Sequence, residues 1–165
     1  MCNLKPLSRE AIPAAVEKAV RYRLLKEPSE AESICQDVLA IDPENQQALV
    51  VLLLALTDRF SQGAPACVSQ AREVLSRLHS EYDRLYYAGL ISERRAKAQL
   101  HTGSPEAAHA AFEWLEEAMS WYDKAEARRP EGNDDALLRW NACVRTIRQN
   151  NLGPRPVEEF QNSLE

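Results

Sequence analysis

Residues Tyr22–Asn45 read YRLLKEPSEAESICQDVLAIDPEN, and this stretch decides the fold. Two X-Pro steps, Glu27-Pro28 and Asp42-Pro43, punctuate it, and a residue before proline is steered away from the helical region. Between them Ala31, Ile34, Cys35, Val38 and Leu39 fall at the i, i+3, i+4 spacing of an amphipathic helix. Ser29, with Glu32 three residues on, has the form of a capping box and is expected to open that helix. Asp42 is expected to cap the next helix, with Pro43 in its first turn, where a missing N–H costs little. The stretch is thus two helices joined by a short break, with a third starting behind it.

Working outward, the spacing predicts a first helix over Ile12 to Lys26, with Pro13 in its first turn. The third helix runs from Glu44 to Phe60, and its middle, Ala48 to Leu56, is apolar throughout. That run is about half of the ~20 residues needed to span a bilayer, so it reads as a helix buried on several sides. After the turn-like Ser61–Pro65, a fourth helix carries Val68, Ala71, Val74, Leu75 and Leu78. A fifth covers Tyr82 to Leu100 and ends at His101-Thr102-Gly103, with the glycine left-handed. Ser104 caps the sixth, Pro105 opens it, and it continues to about Arg128. Its main stripe includes Leu115, Ala118 and Tyr122, while Trp114 and Trp121 lie two turns apart on another side. A seventh helix, Asp134 to Gln149, places Leu137, Trp140, Val144 and Ile147 on one face. The reading is therefore all-α, with about seven helices over residues 12–150. An N-terminal segment, 1–11, precedes them. A tail, 151–165, follows; its prolines, its glycine and its lack of periodicity predict extended or disordered chain, with Val157 and Phe160 free to dock on the body or on another copy. Leu164-Glu165 has the look of a vector-derived scar and stays outside the fold reading.

Tyr22, Ala31, Cys35, Val38 and Pro43 follow one another at steps of nine, four, three and five. Ala71, Leu75 and Leu78 repeat the four–three step, and Ala118, Tyr122, Ala125 and Pro130 repeat the four–three–five step. In these positions the chain resembles a tetratricopeptide repeat protein, built from helix–turn–helix units of about 34 residues. The resemblance covers roughly residues 12–150 as three units plus a terminal helix, and departs from the pattern in places. Ala15 stands where an aromatic is usual, Leu53 where a small residue is usual, Asp83 where a proline is usual, and Arg94 where an apolar residue is expected. The resemblance implies a right-handed α-solenoid of antiparallel hairpins, with the seventh helix covering its open end. It also implies a non-catalytic adaptor or scaffold that docks a peptide or partner helix in its concave groove. The groove positions would be Val16, Val20 and Arg23, then Val50, Leu54 and Asp58, then Ser92, Arg95 and Gln99. Family members that hold a chaperone's C-terminal carboxylate use a Lys/Asn clamp. The matching positions here are Val16, Val20 and Val51, which cannot form one.

Composition narrows the function classes. The 165 residues carry a net charge of -5, a poor balance for a general nucleic-acid binder. The segment Met1 to Glu10 lacks the apolar core of a secretory signal, and no membrane insertion is expected. Cys2, Cys35, Cys67 and Cys143 have neither zinc nor redox-motif spacing, and they read as thiols in a reducing, cytoplasmic setting. His79, His101 and His109 have no metal-ligand spacing, and no HExxH, GxSxG or phosphate-binding glycine loop is present. No catalytic residue, metal or cofactor is therefore assigned. Two alternatives to the adaptor stand: a self-assembling protein joined through Trp114 and Trp121, giving a homo-oligomer, and a small-ligand-binding regulator.

Overall fold

The computed structural model describes residues 2–63 and 65–156, so Val157 and Phe160 lie outside the described residues. Among the described residues there are seven α-helices and no strand: α1 (Ile12–Leu24), α2 (Pro28–Ile41), α3 (Gln46–Asp58), α4 (Pro65–Ser76), α5 (Glu81–Leu100), α6 (Pro105–Glu126) and α7 (Asp135–Gln149). None is long and apolar enough to cross a membrane.

Four of the helix starts have a local cause, and two of these differ from what the sequence suggests. Pro28 occupies the first turn of α2, and Ser29 makes no cap. The capping-box reading fails because Glu32 reaches Arg59 instead, at 2.7 Å, while Pro28 supplies a pre-set φ one residue earlier. Helix α3 is capped by Asn45, whose side chain accepts the Ala48 N–H at 2.9 Å. Asp42 does not cap it. Its carboxylate accepts from Asn45 Nδ2 at 3.1 Å and so holds the capping residue in place. Helix α6 starts as expected, with Ser104 accepting from Ala107 N, and α5 is capped in the same way by Ser80, which accepts from Asp83 N, both at 3.1 Å. Gly103 adopts a φ of 72° after α5, the left-handed geometry expected of it.

Consecutive helices pack on one another, and α1 also packs on α3, and α3 on α5. Two cores result. The first joins α1 to α4 through Ala19, Ala31, Cys35, Leu49, Leu53, Ala71 and Leu78. Ala19, Ala31 and Ala71 are fully buried, which lets the helix axes approach closely at those points. The second core joins α5 to α7 through Ala96, Ala111, Leu115, Ala118, Tyr122, Ala125 and Cys143. Helix α5 is the wall between them, giving Ile91 to the first core and Ala96 to the second.

The segment after α7 is not wholly free. Asn151 is left-handed at φ 50°, and Leu152 N–H reaches back to Ile147 O at 3.0 Å, closing the helix with a reversed turn. Leu152 then packs on the second core, and His109 Nδ1 lies 3.2 Å from Gly153 O. The extended reading of the tail is thus corrected for its first residues.

Candidate functional site

Helices α1, α3 and α5 line up in the same direction on one face. At one end of the face, Pro13 of α1, Gln46 and Gln47 of α3 and Asp83 of α5 border a common cleft of about 480 Å³. All four belong to the first turn or so of their helices. The opposite end joins Arg23, Asp58 and Arg94, from the later turns of the same three helices.

The cleft floor is Val16, Val20, Val50 and Val51. Val20 is 39% exposed although it sits one turn past the buried Val16, so the valine stripe continues out of the core into solvent. Branched, stiff side chains give such a floor a fixed shape, which lowers the entropy cost of binding. Glu17 and Asp83 supply carboxylates to its rim. Burial raises the Asp83 carboxyl above its ordinary range, against an opposing hydrogen bond from Ser80.

At the far end, Arg23 Nε lies 2.6 Å from Asp58 Oδ2 and Arg94 Nη1 lies 3.4 Å from Oδ1. Two guanidinium groups share one carboxylate, which leaves that end of the face with net positive charge. The Nε atoms of both arginines are buried and make no well-formed hydrogen bond. A smaller cleft of about 390 Å³ opens here, bordered by Arg23, Lys26, Pro28 and Asp58.

The residues singled out from sequence divide into three groups. Val16, Val20, Arg23, Val50 and Asp58 are brought to this one face, with the half-buried Leu54 on α3 between Val50 and Asp58. Ser92 is buried and donates its hydroxyl to Ala88 O at 3.3 Å, so it is corrected from a surface contact to a helix-internal one. Arg95 and Gln99 border a different cleft, beside α4. The Arg95 guanidinium stacks 3.5 Å over the Trp114 ring, and its neighbour Arg94 is the arginine that reaches the α1–α3 face. One residue is 100° around a helix, which is enough to move a side chain from one cleft to another.

The tryptophan pair is also dressed by cations. Trp114 is half-buried against the second core under Arg95, and Trp121 carries the Lys124 ammonium 4.4 Å from its ring centre. Their faces are therefore cation–π partners within the chain. Among the described residues no three His, Cys, Asp or Glu side chains converge as a metal site.

Sequence reasoning passed over the most unusual polar group. Glu93 is 1% exposed. It accepts from Tyr122 Oη at 2.8 Å, from Lys97 Nζ at 2.7 Å, and from Arg139 through Nε at 3.0 Å and through Nη2. Burial alone would raise the Glu93 carboxyl, but the Lys97 hydrogen bond and the Arg139 charge outweigh it and hold it below its ordinary value. The same carboxylate pushes the Tyr122 hydroxyl up, after burial as the larger cause. A signal did exist: Glu93 falls in the stripe Tyr86, Gly89, Glu93, Ala96, so a charge stood at a core position of α5.

Fold and site together define an all-helical protein with one open, valine-floored face and a buried carboxylate lock. Comparison with protein-family models, with curated proteins and with solved structures gives no match in any of the three.

Proposed function

We propose that the chain is a non-catalytic interaction module that docks a peptide or partner helix along the α1–α3–α5 face. The observation that carries this reading is the open valine floor, Val16, Val20 and Val50, bounded by carboxylates at one end and by the Arg23–Asp58–Arg94 cluster at the other. Fixed apolar floors with charged ends suit an amphipathic segment, which gains area from the floor and direction from the charges. The occupant presents apolar side chains to the valines, a basic group toward Glu17 and Asp83, and an acidic group toward Arg23 and Arg94. The side-by-side, same-direction placement of α1, α3 and α5, with α2 and α4 returning between them, supports a solenoid of hairpins, which we propose is right-handed and of the tetratricopeptide kind, in a protein of the cytoplasm. Helix α7 then serves as the cap that covers the open end.

The test is a displayed peptide library panned on the wild-type chain, with enriched peptides measured by fluorescence polarisation. Val20 is already partly exposed to solvent, so Val20→Glu is expected to keep the fold, which a thermal melt checks. The expected result is enrichment of apolar peptides with opposite charges at their ends, bound at least tenfold more weakly by Val20→Glu, about 1.4 kcal/mol. Enriched peptides that bind both proteins equally would overturn the proposal.

A further inference from the structure

The cleft beside α4 holds two cations and no anion. Arg72 and Arg95 both border it, with Phe60, Val68 and Ala98 as its apolar wall and Gln99 at its edge, around about 410 Å³. Among the described residues neither arginine has a carboxylate within ion-pair distance, whereas Arg23, Arg59, Arg94 and Arg139 all do. Arg95 is held in the cleft by its stacking on Trp114. Its pKa is lowered, by burial first and then by the nearby Arg72 charge, which together outweigh the opposing charge of Glu117, so the two guanidinium groups repel one another. Two like charges beside an apolar wall suit a ligand that carries carboxylates next to an apolar side chain.

The chain itself carries such a segment. Beyond the described residues the sequence continues Val157-Glu158-Glu159-Phe160, two carboxylates flanked by apolar side chains. The preceding chain is already anchored nearby. Leu152 and Asn150 border a small cleft whose wall includes Gln99, and Gln99 also edges the diarginine cleft. Along α5, Arg95 lies one turn, about 6 Å, from Gln99. The chain from Gly153 to Phe160 extends up to about 25 Å, ample for that distance.

We infer that residues 157–160 of this chain occupy the Arg72/Arg95 cleft in cis, with Glu158 and Glu159 meeting the two guanidinium groups and Phe160 or Val157 meeting the Phe60–Val68–Ala98 wall. The inference is independent of the groove reading, since it concerns a different cleft, the one beside α4. Short tethers give local concentrations of order millimolar, so even a weak contact of this kind is kept closed.

The experiment uses the full chain and a fluorescein-labelled peptide of sequence VEEFQNS. Wild type is compared with Glu158→Lys/Glu159→Lys, whose tail no longer matches the cleft. The expected result is that the reversed-tail protein binds the peptide on the order of tenfold more tightly than wild type, whose own tail competes. Adding Arg72→Glu to the reversed-tail protein should abolish peptide binding. Arg72 is exposed, so this change leaves the core alone, and a thermal melt checks that it does. Absence of peptide binding to the reversed-tail protein, or equal binding by it and by wild type, would overturn the inference. Light scattering supplies the remaining arm: a monomeric wild type is expected, and a dimer that the tail reversal dissolves would show that the tail seats on a second copy, overturning the cis assignment.

Discussion

The two cores of this protein are built on different principles. The α1–α4 core is almost wholly aliphatic, and its ion pairs, Arg23–Asp58 and Arg59–Glu32, stand at its partly exposed rim. The α5–α7 core is aromatic and alanine-lined, and it carries its charge inside, in the Glu93 carboxylate held by Tyr122, Lys97 and Arg139. An aliphatic core tolerates repacking so long as volume is kept. A buried carboxylate tolerates little, because every partner it holds becomes an unsatisfied group once it is removed. Buried charge is thus concentrated in the C-terminal half, while the open valine floor lies in the N-terminal half.

The largest break in this comparison is Glu93→Ala. It strands the buried Tyr122 hydroxyl and leaves the partly buried Arg139 guanidinium without its carboxylate, and a loss of about 3–5 kcal/mol in urea unfolding is expected. Tyr122→Phe keeps the ring and removes one hydrogen bond to a charged group, for a loss of about 1.5–3 kcal/mol. The pH dependence follows from the sign of the Glu93 shift. Its pKa is lowered on folding, so its contribution is present above the ordinary carboxylate value near 4.5 and is lost as pH falls through the lower, folded value. Wild type should therefore lose stability between neutral and strongly acidic pH by a margin that Glu93→Gln largely removes. Parallel acid profiles for the two proteins would assign acid sensitivity to other groups.

Next in size is Gly89→Ala. Helix propensity alone favours alanine by about 1 kcal/mol. A Cβ at Gly89, however, would come 2.6 Å from Cε1 of Tyr122, and that ring is 0% exposed and tied to Glu93. Overpacking of about 1–3 kcal/mol should win, so a destabilised Gly89→Ala is expected in chemical denaturation, whereas in a Tyr122→Leu background, where the ring is gone, the same change should cost nothing further. A stabilised single variant would show that the α5–α6 contact gives way more easily than the buried network implies.

Much of the helical frame is legible in the sequence, because most of the helices carry an apolar stripe and α3 is apolar all round. The starts at Ser104 and Gly103's left-handed turn are legible too, since both are local chemistry. What escapes is non-local. Glu32 looks like a capping-box partner until Arg59, 27 residues on, is found to hold it. Glu93 and Arg139 are 46 residues apart, and nothing in either neighbourhood names the other. At the site, Val16, Val20, Val50, Arg23 and Asp58, which the repeat spacing groups together, lie on one face. On α5 the register slipped by one residue, from Arg94 to Arg95, because the apolar stripe there is interrupted by the Glu93 charge that belongs to the core.

At the N-terminal rim the effects should be smaller. Asp58→Asn leaves Arg23 and Arg94 facing one another without a carboxylate, but both are partly solvated, so about 1 kcal/mol or less is expected, declining with added salt. A cost comparable to that of Glu93→Ala would erase the contrast between rim charge and core charge.

The smallest effect tests the turn that borders the Arg23 cleft. Lys26 holds a φ of 62°, in the left-handed region that a side chain disfavours. It does so because Glu27 N–H reaches back to Tyr22 O at 2.9 Å and Lys26 N–H to Arg23 O at 3.0 Å, the reversed turn that closes α1 and lets Pro28 start α2 at once. Glycine adopts this φ without strain, so Lys26→Gly should remove about 1 kcal/mol of strain, less what glycine loses in unfolded-state entropy. A net gain of a few tenths of a kcal/mol is expected in urea unfolding. Lys26→Ala keeps the strain, removes the charge, and should be neutral. If Lys26→Gly instead destabilises the fold while Lys26→Ala does not, the α1–α2 turn is held by the lysine side chain rather than merely tolerating it, and the N-terminal half is less pliable than the comparison of the two cores implies.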